Sequence, residues 1–336
     1  MNIKNTIFIH ADAGPIEGWG HLRESLEVAR ALRDRGGHCV LVLPEGISAA
    51  HEEARGGGFE VITIPPSDWQ GGQSPEQVSE VFKSNPGAAL VSNLVKVTPA
   101  YGKAIIESTR RWATITELPE DELAPINFNI SKSPKYVPLS AAYRQAEPHV
   151  INDSVRQVLL CFGGSDPWNV TGKTLDLIRR NIENRRLSSG YRIVVVLGPL
   201  FADEESISET AASYPVEIDL RKSLTPAELA RAASQSDIAI TTSGGTMYEF
   251  CALGLPCIVV PILSKHIVNA KVLEGQQAVI RTRQYGYVTA EEMTLSVESL
   301  SPVQRRANIS QAAQKEVDGM GASRIGEHLA KEWGIE

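Results

Sequence analysis

A chain of 336 residues exceeds what one hydrophobic core usually organises, so two domains of ordinary size are expected. Its composition, 42% hydrophobic and 22% charged, excludes a disordered or fibrous protein. The formal net charge of −7 excludes broad attraction to nucleic acid or an anionic membrane, yet it leaves room for a small anionic ligand held by backbone N–H groups.

In chain order, short apolar runs rich in β-branched residues alternate with helical patterns, which is the signature of βαβ units around a parallel sheet. Strands are expected at residues 6–10, 39–43, 61–64, 88–92 and 113–116. Between the first two, Leu22, Leu26, Ala29 and Leu32 recur at helical spacing, and Gly36 and Gly37 mark the stop. No apolar segment of signal-peptide or membrane-spanning length precedes the first strand, so a cytoplasmic protein without integral membrane contact is expected.

The stretch 132–153 carries Pro134, Pro138 and Pro148 without sustained periodicity, and it reads as a linker dividing the chain into domains 1–150 and 151–336. The second domain repeats the scheme, with strands expected at 157–162, 192–197, 216–218, 238–241 and 257–261. Thr225, Pro226 and Glu228 combine an N-cap, a first-turn proline and a capping-box carboxylate, so a helix starts there. After Gly286 the chain reads as helical to its end, with a second capping box at Thr289 and Glu292. These last helices have the length to cross back to the first domain.

The four cysteines, Cys39, Cys161, Cys251 and Cys257, form no C-x-x-C pair and read as buried thiols of a reducing compartment. The histidines show no metal-ligand spacing and there is no G-x-x-x-x-G-K-[ST] run, so neither a metal, another cofactor nor P-loop chemistry is expected.

Ligands of doubly wound sheets bind beyond the carboxyl ends of strands, and three loops have the composition for it. The first, residues 12–21, brings Asp12, Gly14, Gly18 and Gly20 to a helix start occupied by His21, with Arg23 just after. A helix N-terminus favours the neutral imidazole that a general base needs; a capping or packing histidine is the plainer alternative. The second, residues 162–169, offers Gly163, Gly164 and Ser165 as diphosphate donors, unless it is an ordinary turn in which Asp166 caps the next helix. The third holds Ser243, Gly244, Gly245 and Thr246, with Glu249 one turn into the following helix as an acceptor for a ribose diol. Ser243 as a nucleophile on an elbow is disfavoured, because Thr241 stands where that motif has glycine.

Four blocks in order carry a family resemblance: 11–13 (Ala-Asp-Ala) with 18–23 (Gly-Trp-Gly-His-Leu-Arg); 162–167 (Phe-Gly-Gly-Ser-Asp-Pro); 243–249 (Ser-Gly-Gly-Thr-Met-Tyr-Glu) with 252–256 (Ala-Leu-Gly-Leu-Pro); and 317–324 (Val-Asp-Gly-Met-Gly-Ala-Ser-Arg). With these the chain resembles the pseudaminic-acid pathway hydrolases of PseG or SpsG type, which cleave UDP-2,4-diacetamido-2,4,6-trideoxy-β-L-altropyranose, and more distantly the MurG-like glycosyltransferases. The resemblance implies a GT-B fold, two Rossmann-like doubly wound parallel-sheet domains facing a central cleft. It implies a UDP-sugar as partner, His21 as the base that activates water, and Asp12 beside it. It further assigns Gly163, Gly164, Ser165, Gly244, Gly245 and Thr246 to the diphosphate, Glu249 to the ribose, and His266 and Asn269 to a substrate-side segment.

Five positions, at three places in the chain, depart from the family pattern. Asn93 and Leu94 stand where an Asp followed closely by a Tyr is usual, Thr116 and Glu117 replace an acidic pair, and His266 stands where Gln is usual. The nucleotide end is thus better kept than the sugar end. The expected reaction is hydrolysis of the anomeric C–O bond with inversion, releasing UDP. An inverting glycosyltransferase or a nucleotide-sugar-binding subunit without catalysis remain the alternatives, and the sequence gives no oligomer signal.

Overall fold

The computed structural model describes residues 5–14, 19–65, 75–116, 123–147, 149–184 and 190–335. Contacts divide the chain into two compact units: unit 1 is residues 1–139 with 320–336, and unit 2 is residues 140–319. The division falls inside the proline-bearing stretch 132–153, so residues 140–150, assigned to the first domain from composition, lie in unit 2.

Unit 1 holds β1 (Thr6–Ala11), α1 (Gly20–Arg33), β2 (His38–Pro44), α2 (Ser48–Gly56), β3 (Glu60–Ile64), α3 (Pro75–Lys83), β4 (Ala89–Asn93), α4 (Pro99–Ser108), β5 (Trp112–Thr116) and β6 (Ile126–Asn129). All neighbouring strands pair in parallel, in the order β3-β2-β1-β4-β5-β6. The central strands β1 and β4 are buried along their whole length, which is why they read as continuous apolar runs. Under the carboxyl end of β1 lies a buried polar network in which Tyr101 Oη meets His10 Nδ1 and Ser92 Oγ, each at 2.9 Å, and Trp112 Nε1 donates to Ser92 Oγ at 3.0 Å.

Unit 2 holds α5 (Ala141–Gln145), β7 (Gln157–Cys161), α6 (Val170–Glu183), β8 (Arg192–Leu197), α7 (Glu204–Ala212), β9 (Ile218–Lys222), α8 (Pro226–Ser234), β10 (Ile238–Thr241), α9 (Gly245–Leu253), β11 (Cys257–Val259), α10 (Ser264–Gly275), β12 (Ile280–Arg281), α11 (Ala290–Ser299) and α12 (Val303–Glu316). Its parallel sheet runs β12-β11-β10-β7-β8-β9, the order of unit 1 repeated with each strand replaced by its counterpart six places on. The last helix, α13 (Gly321–Trp333), belongs to unit 1, where Arg35 Nη2 donates to Ser323 Oγ at 3.2 Å and Arg111 Nη2 to Trp333 O at 3.0 Å.

The differences from the sequence expectations sit at sheet edges. β6 and β12 were not expected, and β9 runs over Ile218–Lys222 instead of 216–218. Edge strands are covered on fewer sides and need no continuous apolar run, so Ile-Asp-Leu-Arg-Lys carries no strand signal. The capping box at Thr225 forms in full. At Thr289 only half of it forms: Thr289 accepts from the Glu292 N–H, but the Glu292 carboxylate turns to Arg283. All four cysteines are buried free thiols, and burial pushes those of Cys39 and Cys251 up to about 12. Among the described residues no helix is long and apolar enough to cross a membrane, and no group of three or more His, Cys, Asp and Glu has the arrangement to hold a metal.

Candidate functional site

In each sheet the strand order reverses once, between β1 and β4 in unit 1 and between β7 and β10 in unit 2. The chain turns opposite ways on the two sides of that point, which opens a crevice beyond the strand ends where ligands of such sheets bind. Most of the candidate residues stand at these two places.

In unit 1, Asp12 follows β1 and is 6% exposed. Its Oδ2 accepts the Val95 N–H at 2.8 Å, and its own N–H donates to Asn93 O at 3.3 Å, so it ties the loop after β4 to the end of β1. His21 is the second residue of α1 and half-buried, Gly20 opens the helix exposed, and Trp19 is the N-cap residue. Arg23 forms an ion pair with Glu53 of α2 at 3.5 Å, and Trp19 Nε1 donates to the same carboxylate. Gly18 and Glu117 lie outside the described residues. A recess of about 10 Å³, room for about one water molecule, is lined by His21 and Glu24 of α1, by Asn93, Leu94 and Val95 at the end of β4, and by β5 with Ile130 on the far side. Asn93, Leu94 and Thr116 therefore line the same recess as His21.

In unit 2, Gly163 adopts φ +88°, a turn that a side chain would strain, directly after β7. The backbone of Gly198, at the end of β8, lies so close that a Cβ there would meet Gly164 O at 2.2 Å, and Leu200 N–H donates to that oxygen at 3.0 Å. Asp166 does cap α6: its carboxylate accepts the Val170 and Thr171 N–H groups at 2.8 and 2.9 Å and the Thr171 hydroxyl at 2.7 Å. Burial pushes the Asp166 carboxyl up against the pull of those bonds. Ser165 beside it is half-buried.

The third loop leaves β10, which pairs with β7 so that Thr241 stands opposite Cys161. Thr241 Oγ1 donates to Cys161 O at 2.6 Å and locks the two strand ends together. Gly244 is the N-cap of α9 and Gly245 its first residue, and a Cβ at either would meet nothing within 4 Å. Their amides, with that of half-buried Thr246, form an open helix N-terminus of the kind that binds phosphate. Ser243 is fully buried and donates to His266 O at 2.6 Å, which removes it as a nucleophile. His266 Nδ1 accepts the Leu263 N–H and meets the Thr242 hydroxyl, each at 3.3 Å, so the neutral ring carries its proton on Nε2. Asn269, fully buried, donates to Ser243 O at 3.3 Å. His266 and Asn269 thus pin the start of α10 to the Ser243 loop, while Glu249 stands half-buried one turn into α9.

Two contributors escaped the sequence reading. Glu24 was visible in principle, since it follows His21 by one helical turn; Gly198 carries no signal beyond being a glycine after a strand.

No family model matches the chain. Among curated proteins it is 23% identical over 203 residues to the spore coat polysaccharide biosynthesis protein SpsG of Bacillus subtilis, covering 59% of this chain and 57% of that one. It is 29% identical over 130 residues to the uncharacterized protein MJ1062 of Methanocaldococcus jannaschii, covering 38% and 26%. The chain thus spans about a quarter and somewhat over half of those relatives. Among solved structures it matches Acinetobacter baumannii MurG with a TM-score of 0.68 at 14% identity, covering 97% of this chain and 99% of that one. The Staphylococcus aureus MnaA–UDP structure gives 0.69 at 13%, covering 98% and 97%. The spinosyn rhamnosyltransferase SpnG with thymidine diphosphate gives 0.57 at 17%, covering 96% and 99%. With two parallel sheets of one doubly wound order and these neighbours over nearly its whole length, the chain has the two-domain, Rossmann-like GT-B fold.

Proposed function

We propose that this protein hydrolyses a nucleotide-diphosphate sugar, breaking the anomeric C–O bond with inversion and releasing UDP from a sugar of the pseudaminic-acid type or a related one. The observation that carries the reading is the recess of unit 1, which has room for about one water and is lined by the imidazole of His21. His21 takes the proton of a water held there while the water oxygen attacks the anomeric carbon, a role worth about 10²–10⁴-fold. Asp12 shapes the recess through its bond to Val95. The bond to the diphosphate breaks on the other face of that carbon, and the charge left on the nucleotide is met by the amides of Gly163, Gly164, Gly244, Gly245 and Thr246 with the Ser165 hydroxyl, so no general acid is required. Glu249 takes the ribose hydroxyls, and His266 with Asn269 holds the substrate-side segment. The resemblance to SpsG, named for spore coat polysaccharide biosynthesis, supports a place in making a surface sugar.

An inverting glycosyltransferase is the second reading, favoured by the structural likeness to MurG and to the spinosyn rhamnosyltransferase. In that case an acceptor hydroxyl replaces water. A panel of UDP- and TDP-linked sugars without acceptor separates the two: the hydrolase releases nucleotide over many turnovers and yields a first-formed sugar of inverted configuration by NMR. Release that needs an added acceptor establishes the transferase, and retained configuration sinks direct displacement.

A further inference from the structure

The recess beside His21 contains a carboxylate to which neither the motifs nor the proposed reaction gives a role. Glu24 follows His21 by three residues on α1, so the two side chains share one helix face, and both line the recess. Asn93 Nδ2 donates to Glu24 Oε2 at 2.9 Å and to the backbone oxygen of His21 at 3.2 Å. One amide at the end of β4 therefore fixes both the first turn of α1 and one oxygen of the Glu24 carboxylate. The lining contributed by β4, β5 and the loops after them, Asn93, Leu94, Val95, Ile115, Thr116 and Ile130, carries no charge. Glu24 is thus the one anionic side chain lining the recess among the described residues. The neighbouring charges are engaged elsewhere: Asp12 with the Val95 N–H, and Arg23 with Glu53 on α2.

We propose that Glu24 is a second catalytic residue of this site, a role that rests on the hydrolase reading: its carboxylate accepts one hydrogen of the attacking water while His21 removes the other. In that step one O–H bond of the water breaks and its proton passes to the His21 ring. The water oxygen bonds to the anomeric carbon, and the bond from that carbon to the diphosphate oxygen breaks with its electron pair leaving on the nucleotide. Glu24 exchanges no proton. It aims the water and offsets the positive charge that His21 acquires, as a fixed anion does in a small, poorly solvated site.

The test uses the full chain with Glu24→Gln and Glu24→Asp, scored in two ways. Nucleotide release from the UDP- and TDP-sugar panel should fall about 10²-fold in kcat for Glu24→Gln with KM within about twofold, and Glu24→Asp should recover part of the loss. In NMR titrations of histidine-labelled protein without substrate, with the His21 signal identified by its loss in His21→Asn, the His21 midpoint should drop by about one unit in Glu24→Gln and stay near wild type in Glu24→Asp. Unchanged kcat in Glu24→Gln overturns the proposal. So does an equal loss in both variants with an unmoved midpoint, since that marks a purely structural role. Should the wild type release no nucleotide from any sugar of the panel, the hydrolase reading falls by itself; the titration still decides whether the two groups are coupled, and an unmoved midpoint ends the pairing as well.

Discussion

At the switch point of unit 1, between β1 and β4, the chain places polar side chains, Asp12, His21, Glu24 and Asn93; Asn93 donates to the Glu24 carboxylate and to the His21 backbone oxygen, and Asp12 accepts the Val95 N–H. At the matching point of unit 2, between β7 and β10, it places backbone: Gly163, Gly164, Gly244 and Gly245, with hydroxyls around them and no charged group on the loops except the capping Asp166 and the more distant Glu249. The sheets have the same order, so the difference lies in the strand ends, loops and first helical turns around them. On the proposed reading, the first crevice takes a neutral reacting centre and a water to be deprotonated. The other suits a charged group whose counter-charge must come from dipoles, because a protein of net charge −7 supplies no general excess of cations.

The largest expected effect breaks the comparison on the side-chain half. His21→Asn should lower turnover by about 10²–10⁴-fold while UDP affinity, measured by calorimetry, stays within about twofold. A variant that keeps its turnover removes His21 from the chemistry. On the backbone half, Gly198→Ala drives a methyl into the Gly163–Gly164 turn; it should cost about 1–3 kcal/mol in urea unfolding and abolish detectable UDP binding. Binding that survives would show that this turn does not hold the phosphates.

Gly244→Ala sharpens the same point more gently. A Cβ there meets no protein atom within 4 Å, so stability should change by less than about 0.5 kcal/mol while UDP binds about tenfold more weakly, because the methyl projects at the helix N-terminus. Equal affinity in wild type and variant would place the nucleotide elsewhere.

The smallest effect concerns Asp166. Its carboxyl is pushed up by burial in the folded chain, so the folded state binds the proton more tightly than the unfolded one. That contribution to stability is therefore present at low pH and is lost as pH rises from 3.8 through the raised value. Asp166→Asn should flatten this part of the stability profile without altering UDP affinity. A profile parallel to wild type would mean that burial does not govern this group.

Much of both sites was legible because it was local. The spacing of Leu22, Leu26, Ala29 and Leu32 located α1, and with it the helix start at which His21 stands. Thr225 and Glu228 announced their own cap. The two readings of loop 162–169, diphosphate donors or an ordinary turn capped by Asp166, were not decidable from spacing, whereas Thr241 already spoke against Ser243 as a nucleophile. Burial and partners show that Asp166 caps α6 and that the Ser243 hydroxyl is turned to His266 O.

What the sequence alone determined is the alternation of most strands and helices and the glycine- and hydroxyl-rich composition of three loops, since periodicity and glycine content act over a few neighbouring residues. What only the tertiary structure decided is which residues share a recess. Asn93 reaches across 69 residues of chain to Glu24, Gly198 lies against Gly164 from the next strand, and α13, which follows residues 140–319 of unit 2 in sequence, belongs to unit 1. Such meetings depend on strand order and on the close approach of backbones, and no short-range pattern records either.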